Sequence, residues 1–306
     1  MPAARSGPRT STVTVGTCGF SYRDWVGRVY PPATKAAEML ELYAQRFAIV
    51  EIDATYYRIL PASTFASMAR RTPHTFRFTA KLPGSATHVR AEAHTLRGDL
   101  DAFRRALDPL VVAERFAAAL MQFPNSFRPT EAARDHLALL RSALPDIELA
   151  AEFRHREWQT NETLELLRDL RIALVNVDEP QFASLPRPGS DVTSNLAYVR
   201  FHGRNYQQWW KGDNVTRYDY EYRPEELAPW VRRIVDMAAN QEVREVLAFF
   251  NNHARGQAVR SAELFEALLS EQLPPGAVVH PAAQGAQAPL PGYEQSGGAP
   301  DDGGSS

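Results

Sequence analysis

Strand-length apolar runs recur eight times along the chain, and this count constrains the fold more than any other feature. The runs are Val13–Cys18, Ile49–Asp53, Phe76–Lys81, Ala118–Phe123, Ile147–Phe153, Ile172–Val177, Ala197–His202 and Val246–Asn252. Most of the intervals carry apolar residues at helical spacing, such as Leu100, Phe103, Leu107 and Leu110, or Leu137, Leu140 and Leu144 after the N-cap candidate Thr130. Eight alternating β and α units are the number that closes a (β/α)8 TIM barrel. Two crossovers stand apart. The sixth, with Pro180, Pro186 and Pro188, reads as mostly loop. The seventh helix starts near Pro224, unless Pro229 moves its start inward.

The alternation never breaks into two composition blocks, so one barrel domain spanning 12–272 accounts for the chain. Residues 1–11 read as a flexible lead-in. Residues 273–306, rich in Pro, Gly, Ala and Gln, read as a disordered tail, because they bury too little apolar surface to offset ordering entropy. Net charge is -2, which argues against a general electrostatic clamp on duplex DNA. The single cysteine, Cys18, excludes an intramolecular disulfide and suggests a reducing, cytoplasmic setting. No long apolar stretch suggests a membrane span.

In a TIM barrel the active site lies at the C-terminal ends of the strands. Here those ends carry Asp53, Lys81, Gln122, Glu152 with Arg154, Asp178, His202 with Arg204, and Asn251-Asn252-His253. Side-chain parity adds to this. Glu51 and Asp53 share one face of strand two. Arg77, Thr79 and Lys81 share a face of strand three, Glu152 and Arg154 of strand five, Asn176 and Asp178 of strand six, and Arg200 and His202 of strand seven. The opposite faces are apolar and suit packing on helices, so the polar faces are expected to point inward. For Glu51 and Arg77, deep in the barrel, structural pairing is at least as good an explanation as a site.

Several motifs occur together and in order: Gly19-Phe20-Ser21-Tyr22 with Trp25, Glu51-Ile52-Asp53-Ala54-Thr55-Tyr56-Tyr57, Phe76-Arg77-Phe78-Thr79-Ala80-Lys81 before Thr87-His88, Gln122-Phe123-Pro124, Glu152-Phe153-Arg154 with Trp158, Tyr198-Val199-Arg200-Phe201-His202-Gly203, and Phe250-Asn251-Asn252-His253 before Gly256. Over about residues 13 to 270 this set resembles the YecE-like family (domain of unknown function 72). The resemblance implies a TIM barrel and no established reaction. Asp53 departs from the family pattern, which has Asn there.

The rim is rich in cations and hydrogen-bond donors, and an anionic ligand is the first expectation. Glu152 and Asp178 are the acid/base candidates, with His202 as an alternative base and Lys81 as a catalytic cation. Tyr56, His88, Gln122, Trp158, Arg154, Arg200, Arg204, Asp53, Asn251, Asn252 and His253 are the binding candidates. Gly203 and Gly256 suggest a backbone phosphate site, although Gly256 also suits an ordinary helix entry. His88, His202, His253, Asp53, Glu152 and Asp178 are of metal-ligating type, and a divalent metal is compatible with them, but no H-x-H or H-E-x-x-H spacing specifies one. Aromatic residues crowd the same loops, and the segment from Gly203 to Arg223 is expected to act as a lid. Two functions fit: an enzyme of hydrolase or lyase type acting on an anionic, ring-bearing phosphate ester, nucleotide or sugar phosphate, or a non-catalytic protein that binds nucleotides or single-stranded nucleic acid.

Overall fold

The computed structural model describes residues 11–88, 93–213 and 215–281. Eight parallel strands close into a barrel in sequence order: β1 (Thr12–Cys18), β2 (Ile49–Ile52), β3 (Arg77–Lys81), β4 (Phe116–Phe123), β5 (Leu149–Phe153), β6 (Ile172–Asp178), β7 (Leu196–Phe201) and β8 (Glu245–Phe250). The crossovers carry α1 (Met39–Ala44), α2 (Ala54–Tyr57), α3 (Ala62–Arg70), α4 (Gly84–Thr87), α5 (Ala93–Val112), α6 (Glu131–Ala143), α7 (Asn161–Asp169) and α8 (Pro224–Ala239). α9 (Gln257–Ser270) follows β8 and packs on β1. Thr130 and Thr160 cap α6 and α7, their hydroxyls accepting the N–H groups of Ala133 and Thr163. β6 and β7 are joined without a helix. α8 begins at Pro224 and runs through Pro229, whose missing N–H costs one bond on a partly solvated turn.

Two packed regions follow from strand parity. The outer one places Val50, Phe78, Met121, Val199 and Ala248 against the helices. The inner one holds Leu120, Ala150, Val175, Val177, Tyr198 and Phe249. The expected inward face is therefore right for β2, β3, β5 and β7 and wrong for β6. Register explains the exception. Val177 pairs with Arg200, and Asp178 pairs with Phe201. Paired residues on neighbouring strands point the same way, so Val177 enters the barrel while Asp178 and Asn176 turn outward. At the floor Arg77 pairs with Glu245, not with Glu51, as a structural closure.

Both domain edges need correction. Ser11 is buried and donates to the Val243 carbonyl at 2.7 Å, so it is part of the barrel. Beyond 272 the chain stays ordered through 281. Leu273, Ala277 and Val278 are buried, and Val13 exchanges backbone hydrogen bonds of 2.8 Å with Ala277 and Val279. These apolar residues lie within the Pro/Gly-rich composition, which hid them. Residues 1–10 and 282–306 lie outside the described residues.

Ending the chain after Gln272 should lower the thermal midpoint by about 5 to 15 °C, because it uncovers the end of β1 and removes the burial of a Leu and a Val. A calorimetric comparison of the full and shortened chains measures this. An unchanged midpoint would show that the segment adds nothing to the core.

Candidate active site at the barrel mouth

The site rests on Arg200, which β7 projects into the barrel with almost no exposure. Its Nη1 donates to Glu152 Oε2 at 2.6 Å and to Gln122 Oε1 at 3.2 Å. Its Nη2 donates to Glu51 Oε1 at 2.6 Å and meets Cys18 Sγ at 3.3 Å. The second Glu51 oxygen accepts from Tyr198 OH at 2.6 Å. A guanidinium in this position is tolerable only because carboxylates flank both of its terminal nitrogens. Glu51 is thus a structural partner in this network. Cys18 is buried, and burial pushes its thiol pKa up, which fits a core residue and not a nucleophile.

One layer higher, Glu152 lies 2.6 Å from Arg154 Nε and 3.2 Å from His202 Nε2. The angles at these contacts are poor for hydrogen bonding. Burial alone would raise the Glu152 pKa, but the charges of Arg154 and Arg200 hold it well below the usual carboxylate range. A carboxylate so strongly held ionised is a poor proton carrier, so Glu152 serves to position the two arginines. Burial, reinforced by Arg154, pushes His202 down to about 3, so its imidazole is neutral near pH 7. Asn251 Nδ2 sits 3.1 Å from His202 Nδ1, an arrangement that leaves the proton on Nε2, facing Glu152.

Sequence reasoning missed Glu179. It is fully buried, and its Oε2 accepts from Arg154 Nη1 at 3.0 Å, while Oε1 has no partner. Burial lifts its pKa to about 8 against the pull of Arg154. It stands one residue past the strand, where parity no longer guides the reader. Arg154 also lies under the Trp209 ring, 5.7 Å from its centroid, which brings the loop after β7 over the charges.

The rim is more open. The ladder between β2 and β3 ends at Ile52 and Ala80; Asp53 follows as the residue that opens α2, and Lys81 is the last residue of β3. Asp53 is 29% exposed, yet its Oδ1 is buried without a hydrogen-bond partner, 3.9 Å from Arg200 Nη2. Lys81 Nζ lies over the Tyr56 ring, 4.7 Å from its centroid, and has no carboxylate partner among the described residues. His88 meets the edge of the same ring at 4.9 Å. Partial burial, together with Lys81 and Arg154, lowers its pKa to about 4.

Several expected site residues have other work. Asp178 lies behind the barrel wall and accepts from Arg204 Nε (2.8 Å) and Nη2 (2.6 Å), Tyr222 OH (2.7 Å) and Trp230 Nε1 (2.6 Å). Four donors saturate it, which leaves Asp178 no free lone pair for acid/base chemistry and commits Arg204 Nε and Nη2 to it. Trp158 is buried in a stack with Phe153 and Phe127, and its Nε1 donates to the Phe127 carbonyl at 2.8 Å. Asn252 turns outward and donates to the Tyr220 carbonyl at 2.8 Å and to Ser261 Oγ at 3.2 Å. His253 stacks on Tyr22 at 4.6 Å and clamps the first loop, its carbonyl accepting from Trp25 Nε1 at 2.7 Å.

The glycines do not build the expected phosphate site. The Gly203 N–H is taken by Tyr222 OH at 2.9 Å. Gly256 is needed for its φ of 75° and because a Cβ would come within 2.7 Å of Val29 Cγ2. Nor do the expected metal ligands gather. Among the described residues, the set with ligand atoms mutually within 4.8 Å is Cys18, Glu51 and Asp53. The Arg200 guanidinium already touches the first two, so it occupies the place a cation would take.

Comparison with known proteins agrees with this barrel. The family profile described as "Protein of unknown function DUF72" matches residues 14–285. The chain belongs to the DUF72 family. It is 32% identical over 274 residues to the UPF0759 protein YunF of Bacillus subtilis, covering 84% of this chain and 94% of that one. A crystal structure of a DUF72 family protein from Thermotoga maritima superposes with a TM-score of 0.78 at 40% identity, covering 85% of this chain and 99% of that chain. One from Enterococcus faecalis gives 0.74 at 28% identity, covering 85% and 96%.

Two predictions follow from these environments. Asp178→Asn places an amide N–H against existing donors and should cost about 2 to 4 kcal/mol of stability, read as a lower urea midpoint. No loss would mean that Asp178 is not the brace described. The second concerns pH. His202 titrates near 3 when folded, against 6.5 for the ordinary group. The unfolded chain therefore takes up a proton as pH falls through 6.5 while the folded one does not. This contribution to stability is complete above 6.5 and is lost progressively toward 3. His88 acts in the same direction, so the fall in urea midpoint between pH 7 and 4.5 should be smaller in His202→Gln than in the parent, not absent. Equal falls would disprove the buried neutral imidazole.

Proposed function

We propose that this protein is an enzyme that performs acid–base chemistry at the barrel mouth on a small, ring-bearing molecule carrying a negative charge, such as a sugar phosphate or a nucleotide. The observation that carries this reading is the unsatisfied pair at the rim. Lys81 is seated on an aromatic face with no carboxylate partner among the described residues, and Asp53, just past the end of the neighbouring strand, has a buried carboxylate oxygen with no hydrogen-bond partner. Lys81 holds the anionic group, and the Tyr56 ring supports a sugar or base face. Asp53 accepts the proton, in place of Glu152 and Asp178. Arg200 and Arg154, fixed by Glu152, stabilise the negative charge that proton loss leaves on the substrate. The departure from the family's Asn at position 53 supplies a base where that pattern has an amide. Among the described residues no helix is long and apolar enough to cross a membrane, and a single buried thiol suits the reducing cytoplasm.

One observation favours a second reading, single-stranded nucleic-acid binding. Trp210 and Tyr206 are exposed and lie 5.7 and 5.4 Å from Phe182, forming an aromatic platform beside Lys211. Titrations with inorganic phosphate, ribose 5-phosphate, AMP and oligo(dT) separate the two. Lys81→Met should weaken phosphate-ester binding about tenfold or more. Asp53→Asn should retain binding and slow turnover of a processed ester about 10²- to 10⁴-fold. Binding of oligo(dT) alone, lost in Trp210→Ala and untouched by Lys81→Met, would reject the enzyme and support the platform.

A further inference from the structure

A cleft of about 480 Å³ opens beside the mouth, between α4 and the start of α5 on one side and the β4–α6 loop with α6 on the other. Its floor is apolar, made by Ala86, Leu96, Ala133 and Phe127. Leu139 stands 42% exposed at its far end. Its polar edge consists of Thr87, His88, Ser126, Arg128, Thr130 and His136, of which Arg128 is the cation. Among the described residues no Asp or Glu lines it. His136 Nε2 lies 2.7 Å from the Ala86 carbonyl and ties the two walls together. The volume is within the range of small-molecule sites, and an apolar floor with a few polar groups at one edge is their usual make-up.

We infer that this cleft is a binding site for an aromatic or short-chain apolar group that carries a negative charge, and that it takes the apolar portion of the substrate processed at the mouth. The first half stands on the cleft alone. The apolar floor accepts a ring or chain, and the described lining offers a cation, Arg128, and no carboxylate. Arg128 is the principal charge. It shares its guanidinium with Glu157 (2.8 Å) and His155 (2.9 Å), and it remains substantially exposed. The second half rests on the function proposed above, and on His88. This residue lines the cleft and also touches the Tyr56 ring that carries Lys81. A ligand seated in the cleft would thus reach the mouth past a single imidazole, which its lowered pKa keeps neutral at pH 7 and so able both to donate and to accept a hydrogen bond. A substrate with a charged ring at Lys81 and an apolar substituent over Phe127 would span both.

The probe for the cleft is 8-anilinonaphthalene-1-sulfonate, an aromatic anion whose fluorescence rises in apolar surroundings. The full chain should bind it saturably with one site. Ala132→Trp, a solvent-facing change that fills the cleft, should weaken binding at least tenfold, and Arg128→Gln severalfold. Lys81→Met should leave it unchanged. Ser126→Trp, on the β4–α6 loop of the same wall, provides a second filling variant, and thermal melting confirms that each variant is folded. Saturable binding insensitive to both filling variants, or no saturable binding at millimolar probe, would overturn the cleft assignment. The link to the mouth is read separately. Any phosphate ester bound through Lys81 should bind more tightly when it carries an aryl group, and Ala132→Trp should abolish that gain without weakening inorganic phosphate. A cleft that binds the probe while Lys81→Met affects no ligand would retain the site and refute the mouth reading.

Discussion

A guanidinium buried inside a β-barrel dictates much of what surrounds it. Taking Arg200 out of water costs several kcal/mol, and leaving either side of it unpaired would cost more than the fold can spare. Glu51 on β2 and Glu152 on β5 therefore bracket it. The small inward residues of β4, β5 and β6, namely Ala118, Ala150 and Ala173, leave the barrel interior room for large groups from β7, Tyr198 and Arg200. Glu152, once committed to Arg200, also holds Arg154 and faces His202. Strands two, five and seven are thus tied together by charge as well as by backbone ladders, and the floor of the mouth is rigid before any ligand arrives.

The barrel was legible in the sequence because eight short apolar runs with helical intervals admit few other closures. The convergence of Glu152, Arg154, Arg200 and His202 was legible because each continues the polar face of a strand whose other face is apolar. Asp178 failed the same test for a definable reason. β6 carries Asn176 and Asp178 on one face and only apolar residues on the other, but a polar face can turn to a helix side that supplies hydrogen-bond donors as well as to the barrel interior, and the register with Arg200 and Phe201 decides it. The helix side then had to satisfy a carboxylate, which it does with Arg204, Tyr222 and Trp230. Glu179 was invisible from the opposite direction, since it follows Asp178 by one residue and lies past the end of the pattern.

Aromatic residues were harder to place. A tryptophan near a strand end suits a binding wall and a packing wall equally well. Trp158 completes a stack that begins with Phe123 and Phe127, and those phenylalanines were the available signal. The glycines after β7 and β8 were similarly ambiguous. Their positive φ angles serve close packing against Tyr220 and Val29, and the Gly203 N–H that a phosphate would use is already bonded.

The charges at the mouth can be divided by what they are free to do. Arg154 and Arg200 face Glu51 and Glu152, two against two. His202, pushed down to about 3, adds no charge at neutral pH, and Glu179, lifted to about 8, is largely protonated there. The floor is therefore close to electroneutral, and its field is directional, with little net attraction for an anion. In the function proposed above, recognition falls to the groups this balance leaves over, Lys81 and Asp53. One is a cation on an aromatic face, the other a carboxylate with an unused oxygen near Arg200. A bare anion would be drawn to the first and repelled by the second. The substrate proposed above, which combines an anionic group with a hydroxyl or an acidic C–H, is the kind of molecule that could meet both.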